Sequence, residues 1–588
     1  MINQLFIKTI FILTILFFSI FPQNKIIKSF FVKGNNYFSK NDYLEWSKIK
    51  INQAWFNGIT DTIARRILKS LSDNGFHFAK INSIDENNLD SLNVEISLNI
   101  DEDYPTKISN INFINQDSSD IKLVEEKFKF LKGEILSKAS FEEVINDVLN
   151  HYENNGFPFT KITVQSIFFD SIDSERTAKI TLIVDKGVLC KIDKVEIKGN
   201  ESTKDYVIIR ELRLPKGLLY SQEKIYQLPE KLNKLRFFEP VKTPTFYINN
   251  NDEGVLLIEV KERQTNNFDG IIGYIPPGKN EDKGYITGLV NISLRNLFGT
   301  GRAIALRWNK FSRKSQELEL KYLEPWLFSY PFNIVLNLYQ RIQDTTYVQR
   351  KFEGQTEYLS TETISASVIL GTESIIPTER VVPVFTVFNS SLITTGVSFK
   401  LDTRDDPFSP TKGILLENKL LYSRKKINGP LEFVTNIVER NISLQRIISD
   451  FRFFFSIFNK QVSAFSFHLR ELKGKSFENS DLFKFGGTNS LRGYIEEQFL
   501  ANRVFWTNIE YRFLLTKRSF VFPFFDFGYY MRQFEPLKRI SKSEAFLYGY
   551  GVGLNIETGL GILAISFALG KDDSFSEGKI HFGVVNEF

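Results

Sequence analysis

The sequence predicts a chain of two unlike parts: α+β modules, about three of them, followed by a transmembrane antiparallel β-barrel of about 16 strands. Three observations lead there. A pattern of strand, two helices and two strands recurs with a period of about 80 residues as far as residue 262. From about residue 266 the helical signals stop, and strand follows strand with alternating apolar and polar residues. The composition pairs abundant aromatics with low greasiness: 57 Phe, 22 Tyr and 5 Trp make up 14% of 588 residues, yet 24% are charged and mean hydropathy is −0.17.

The composition sorts the classes. A helical membrane protein would be far more apolar, whereas a barrel alternates lipid-facing with polar lumen-facing residues and so averages out hydrophilic. A soluble all-β protein shares that average, so composition alone does not decide. The net charge of +5 is too small to argue for nucleic acid. One cysteine, Cys190, allows no intrachain disulfide and reads as a small buried hydrophobe. At the start, Lys8 precedes the apolar run Ile10–Phe21, which suits a signal peptide over residues 1–22, cleaved near Pro22 or Gln23. That run is short for a membrane helix, and none of 18 apolar residues follows it. If the mature chain sits in a membrane it does so as a closed barrel, because lipid offers backbone groups no partners.

The modules are expected over residues 26–103, 106–187 and 190–262. They open with Ile26–Asn35, Lys107–Asn115 and Lys191–Asn200, and close on the alternating strands Leu92–Ile100, Ala178–Asp185 and Val255–Val260. Between them, Asn74-Gly75-Phe76 and Asn155-Gly156-Phe157 mark helix ends, each with a glycine cap and an aromatic to pack beneath the helix. The third module has Leu235-Arg236-Phe237-Phe238 at that point. Helices between strands imply helices on one face of a small sheet.

The barrel is expected over residues 266–588. Val290, Ile292 and Leu294 oppose Asn291, Ser293 and Arg295; Leu318 and Leu320 oppose Glu317 and Glu319; Phe505, Ile509 and Phe513 oppose Asn508, Glu510 and Arg512. At roughly 20 residues per strand and connection, this region holds about 16 strands. A soluble sandwich would alternate too; the long strands, the aromatics near strand ends and the leader favour the barrel. The last strand, Gly578–Phe588, places Ile580, Phe582, Val584 and Phe588 on one face and Lys579, His581 and Glu587 on the other.

Four segments between strands carry further information. Asn296–Arg302 (NLFGTGR) suits a tight turn; it lacks the strand-to-helix context and the G-K-[ST] of a phosphate loop. Asp402–Gly413 (DTRDDPFSPTKG) is a proline- and glycine-fixed turn whose acid spacing does not fit an EF-hand. Gly486–Tyr494 (GGTNSLRGY) lies in a long loop, about Lys473 to Asn502. In Phe524–Tyr529 (FFDFGY), Val521, Phe525 and Phe527 share one face, and Asp526 and Gly528 the other together with Phe522 and Phe524.

These four segments, in this order, resemble the BamA/TamA outer-membrane assembly family, and the N-terminal modules resemble its POTRA domains. The resemblance covers nearly the whole mature chain; three modules rather than five bring the domain plan closer to TamA. It implies that the loop motif Gly486, Gly487, Leu491, Gly493 and Tyr494 folds back into the barrel lumen, with Arg492 pinned to Asp526. A bidentate Arg–Asp pair has the geometry a buried guanidinium needs. It also implies that Phe582, Val584 and Phe588 form a C-terminal signal read by assembly machinery. The chain would then sit in the bacterial outer membrane with its modules in the periplasm. It would be no enzyme and carry no metal or cofactor. Its implied partners are unfolded outer-membrane or exported client proteins, taken by β-augmentation at a POTRA edge, and outer-membrane lipid, with room for a periplasm-spanning inner-membrane partner. Clients would be inserted by strand addition at the seam between Asn267–Ile275, where Gly270 and Gly273 weaken pairing, and Gly578–Phe588.

A two-partner secretion transporter is the alternative; it shares barrel and loop motif but has two modules and a plug helix. An outer-membrane enzyme finds no support in His77, His151, His468 and His581, which are scattered, nor in any G-x-S-x-G elbow. A passive porin would have no use for the modules.

Overall fold

The computed structural model describes residues 25–115, 121–172, 175–275, 285–310, 312–343, 346–378, 387–429, 439–534, 540–558 and 561–585. The signal-peptide segment, Glu587, Phe588 and the side chain of Val584 lie outside them. The chain divides into two compact units. The first comprises residues 1–194, 215–226 and 246–256, and the second 195–214, 227–245 and 257–588, so the third module contributes to both.

In the first module, helices Lys40–Ser47 and Ile59–Asp73 lie between strand Ile26–Lys33 and strands Lys80–Asn88 and Asn93–Asp101. The closing strand takes the centre of the sheet, parallel to the opening strand and antiparallel to the other. Ser39 and Asp42 form a capping box that starts the first helix. Ile59, Ile63, Ile67 and Leu71 share one face of the second helix at four-residue spacing, and that stripe packs on Ile96, Leu98 and Ile100. The turn after the opening strand is held by Glu102, which accepts from the Tyr37 N–H at 2.6 Å and from the Tyr43 hydroxyl at 2.5 Å.

The second module repeats the plan with Thr106–Asn115, helices Ile121–Phe128 and Lys138–Asn154, and strands Lys161–Ile172 and Glu175–Asp185, the last again central. Gly75 and Gly156 follow the long helices with positive φ, and Phe76 and Phe157 join their modules' cores. In the third module the opening strand is broken into Lys191–Ile192 and Lys194–Lys198. Asp193 at the break receives the Gly254 N–H at 2.9 Å, and Lys191–Ile192 pairs with a short strand, Leu218–Leu219, that sequence periodicity did not reveal.

The C-terminal region forms one sheet of 16 strands in which each strand pairs with its sequence neighbours. Its first strand is Asn267–Ile275 and its last Lys579–Val585. The first ladder runs without interruption from Asn267–Ser293 to Ile275–Tyr285, through Gly270 and Gly273. Among the described residues no helix is long and apolar enough to cross a membrane.

Burial in this sheet is inverted relative to a water-soluble protein. In the eighth strand, Asn389–Asp402, Ile393 and Val397 are 66% and 53% exposed, while Thr394 and Ser398 are buried. Val368, Leu370, Leu420, Phe546, Val552, Ile580 and Phe582 are likewise exposed, whereas Ser367, Glu373, Ser423, Lys425, His468, Asp526 and His581 are buried. A soluble sandwich buries its apolar face and wets its polar one; here the apolar face points outward over strand after strand. That is the pattern of a sheet whose outer solvent is hydrocarbon and whose inside is a polar lumen.

Candidate functional site: the loop in the lumen

The loop between the eleventh strand (Gln461–Lys473) and the twelfth (Arg503–Leu514) is the longest connection in the sheet. It carries a small hairpin, Phe483–Phe485 against Phe499–Ala501, which presents the turn between them. In that turn the Gly486 N–H donates to Ser490 Oγ at 2.9 Å, and the Gly487 N–H to the Leu491 carbonyl at 3.0 Å. Leu491 is fully buried, and the local folding leaves the Arg492 side chain directed at the sheet.

Arg492 and Asp526 are brought together. The guanidinium donates from Nε to Oδ2 at 2.8 Å and from Nη2 to Oδ1 at 2.7 Å, and the Arg492 backbone N–H adds a third bond at 3.1 Å. A second carboxylate, Glu510 on the twelfth strand, accepts from Arg492 Nη1 at 2.9 Å, and is itself held by Arg512 at 2.8 Å. The Phe524 ring lies under the guanidinium, 3.6 Å from ring centroid to Cζ. One buried cation thus meets two carboxylates and an aromatic face, which matches charge, geometry and desolvation together.

The receiving surface is a row across adjacent strands. Asn508 on the twelfth strand, Asp526 on the thirteenth (Phe520–Arg532), Gly549 on the fourteenth (Ser543–Thr558) and Gly570 on the fifteenth (Gly561–Gly570) stand opposite one another. Asn508 donates to the Ser490 carbonyl at 2.9 Å, and Asp526 takes Arg492. A Cβ at Gly549 would lie 1.9 Å from the Arg492 carbonyl oxygen, and one at Gly493 2.7 Å from Gly570 N, so the loop backbone rests directly on strand backbone. Gly493 also has φ of +92°, a conformation open to glycine. Tyr494 closes the motif, its hydroxyl donating to the Tyr548 carbonyl at 3.1 Å. On the sixteenth strand, His581 Nε2 accepts the Gly493 N–H at 3.1 Å.

The loop has two further anchors. On its outgoing limb, Glu478 and Asp481 each lie 2.7 Å from Nζ of Lys425, a fully buried lysine of the ninth strand (Gly413–Gly429). Glu478 also accepts the Phe388 N–H at 3.1 Å, and Phe477 and Leu482 pack beside the triad against Ile375, Leu392 and Leu444. On the returning limb, Glu497 takes two N–H groups of Arg341 from the fifth strand (Phe332–Gln343) and Lys484 at 3.1 Å.

The two turn motifs serve the opposite end of the sheet. Gly299 packs so tightly that a Cβ would stand 1.9 Å from the Ser202 carbonyl oxygen, and its own carbonyl accepts the Lys204 N–H at 2.9 Å. Asn296 donates to Thr203 Oγ1 at 2.8 Å, and Arg210 to the Thr300 carbonyl at 3.2 Å. In the other turn, Arg404 is folded back on Asp402, Asp406 receives Arg518, and Arg236 of the third module stacks on Phe408 at 3.8 Å. The segment NLFGTGR is therefore a docking turn for the third module.

The family resemblance paired Arg492 with Asp526, but sequence reading missed Glu510 as a second acceptor, Lys425 with its two acids, Arg341 with Glu497, and the loop contact of His581. Of the C-terminal residues, Phe582 points outward and is exposed, while Val584 and Phe588 fall outside the described side chains.

Modules of this α+β plan, joined to a sheet with an apolar outer face and a tethered inner loop, define a POTRA-bearing outer-membrane β-barrel. The comparisons agree. The Omp85 superfamily domain matches residues 296–588, and the POTRA family, described as a surface antigen variable number repeat, matches residues 106–187 and 190–263. The outer membrane protein assembly factor BamA of Nitratidesulfovibrio vulgaris is 22% identical over 472 residues, covering 74% of this chain and 55% of that protein. BamA of Neisseria meningitidis serogroup B is 24% identical over 258 residues, covering 43% and 31%. The crystal structure of BamA from Haemophilus ducreyi lacking POTRA domains 1–3 superposes with a TM-score of 0.53 at 17% identity, covering 81% of this chain and 98% of that one. The chain thus spans about half the length, or less, of these two curated relatives. It carries the Omp85 superfamily domain behind POTRA domains, with relatives named BamA, and is a protein of the bacterial outer membrane with its POTRA modules in the periplasm.

Proposed function

We propose that this chain inserts client β-proteins into the outer membrane, with modules at 26–103, 106–187 and 190–262 delivering extended segments to a barrel at 266–588. The observation that carries the reading is the similarity, over 472 residues, to a protein named as an outer-membrane assembly factor. The physical content is strand templating rather than bond chemistry. A sheet edge presents N–H and C=O groups in strand spacing, and an incoming client segment pairs with them. The seam between Asn267–Ile275 and Lys579–Val585 is the edge assigned here, and outer-membrane lipid is the phase into which the client leaves.

In this account the loop is a brace. Arg492 ties its tip to the twelfth and thirteenth strands, while Lys425 and Arg341 tie its limbs to the ninth and fifth. The brace keeps the wall in register while the seam pairs and unpairs. The test is depletion of the protein followed by quantitative analysis of the outer membrane. Assembly predicts that several unrelated β-barrel proteins fall in abundance. Loss of a single exported polypeptide from the medium, with the barrels unchanged, would instead favour two-partner secretion.

A further inference from the structure

The loop tip also reaches the last strand, through one side chain. His581 points inward from Lys579–Val585 and is 7% exposed. Its Nε2 lies 3.1 Å from the Gly493 nitrogen and its Nδ1 3.4 Å from Thr488 Oγ1. The Gly493 backbone N–H can only donate. Nε2 must therefore present its lone pair, which leaves the ring proton on Nδ1, facing a hydroxyl that can accept it. Arg492 and Gly493 are consecutive, so two adjacent loop residues join Asp526 on the thirteenth strand to His581 on the sixteenth.

We infer that His581 is a positioning residue that latches the terminal strand to the loop tip, and that protonation of its ring opens the latch. This rests on the seam reading above, since the latched strand is the one at which a client would pair. A proton on Nε2 would set N–H against N–H and turn an attraction into a repulsion. The charged groups around the ring act in both directions. The Arg492 guanidinium from the loop and Lys579 from the same strand oppose a second positive charge; Asp526 from the thirteenth strand favours one. Glu510 is already engaged by Arg492 and Arg512, Asp573 by Lys579, and Glu496 accepts the Thr488 N–H at 2.9 Å. Imidazole is the side chain whose charge changes near neutral pH, so a latch built on its neutral form is set at neutrality and weakened by acid.

Hydrogen exchange of the full chain in lipid nanodiscs tests this without any client. Protection of Lys579–Val585, corrected for intrinsic exchange, should drop about fivefold between about pH 7.5 and pH 5, as expected for losing one net hydrogen bond. His581→Gln can accept the Gly493 N–H but does not titrate, and should stay protected at both pH values. His581→Leu should show the reduced protection at both. If that variant does not fold, Thr488→Val, which removes the acceptor for Nδ1–H, should lower protection at neutral pH. Wild-type protection in His581→Leu, or in Thr488→Val where it stands in, would overturn the latch. So would an acid effect that persists in His581→Gln. Depletion that spared all clients while exchange behaved as described would reject assembly and leave the latch standing.

Discussion

Replacing Arg492 by alanine should release the loop tip while leaving the barrel intact. In the native state Asp526 is fully buried and receives three N–H groups of Arg492, and Glu510 receives one. Alanine removes the cation but not the carboxylates, of which Glu510 keeps Arg512 and Asp526 keeps only the backbone bond. Removing one partner of a buried ion pair costs about 3–5 kcal/mol, because the other charge stays desolvated. Here that cost falls on docking, since an undocked tip lets Asp526 rehydrate from the lumen. The docked population should therefore fall by roughly two to three and a half orders of magnitude. Leu491, fully buried beside Arg492, supplies the probe. In a Cys190→Ser, Leu491→Cys background, a maleimide should label position 491 slowly while Arg492 is present. Adding Arg492→Ala should speed labelling by that factor, until labelling itself becomes limiting. Adding Asp526→Asn as well removes the stranded charge, so the effect of the two together should be far less than the sum of the single ones. Unchanged labelling in Arg492→Ala, or additive single effects, would refute the reasoning.

Other expectations follow from the remaining contacts. Lys425→Met leaves Glu478 and Asp481 buried without their cation, and should make the outgoing limb sensitive to trypsin at Lys484, at a cost of about 3–5 kcal/mol; resistance equal to wild type would argue against the second anchor. Gly299→Ala forces a Cβ to within 1.9 Å of the Ser202 carbonyl oxygen, and should loosen the third module from its turn. A cysteine pair at Thr203 and Asn296 should then cross-link more slowly than in wild type. Glu262 carries a pH signature: burial pushes its pKa up, but the N–H and hydroxyl groups of Thr203 and Ser202 outweigh that and hold it below the ordinary carboxylate value. Its folded pKa is depressed, so its contribution is complete above the unfolded value and disappears as pH falls through the lowered one. Glu262→Gln should therefore destabilise at neutral pH and flatten the acid limb of the melting curve. The folded barrel should also run faster on a gel unheated than boiled.

The sheet was readable because a barrel in lipid enforces strict alternation, and a one-residue slip would turn every apolar side chain into the lumen. The same parity put Asp526 inward with Phe522 and Phe524, and Phe524 proves to be the face on which Arg492 lies. Parity also places Glu510 inside, opposite Phe505 and Ile509, so the second acceptor was legible had the polar face been searched for partners. The Lys425 triad was not. It sits in the run Arg424-Lys425-Lys426, which reads as a solvated charge cluster, and only the pairing register sends Lys425 alone inward. Its acids lie more than fifty residues later in an irregular loop where no periodicity operates. His581 was visible on the polar face of the last strand, but its partner is a backbone N–H, which leaves no mark in sequence. The break at Asp193 escaped for a similar reason: it is fixed by the Gly254 N–H, not by composition.

Cysteine scanning of the eighth strand tests the inverted sheet most directly. Residues 391 to 398, each labelled with a fluorophore in reconstituted full-length protein, would be challenged in turn with a quencher confined to lipid tails and one confined to water. Ile393 and Val397 should be quenched from the lipid, and Thr394 and Ser398 should not be. Quenching of the polar positions from the lipid, or access of the aqueous quencher to both sets alike, would contradict the barrel and with it the lumen that holds the loop.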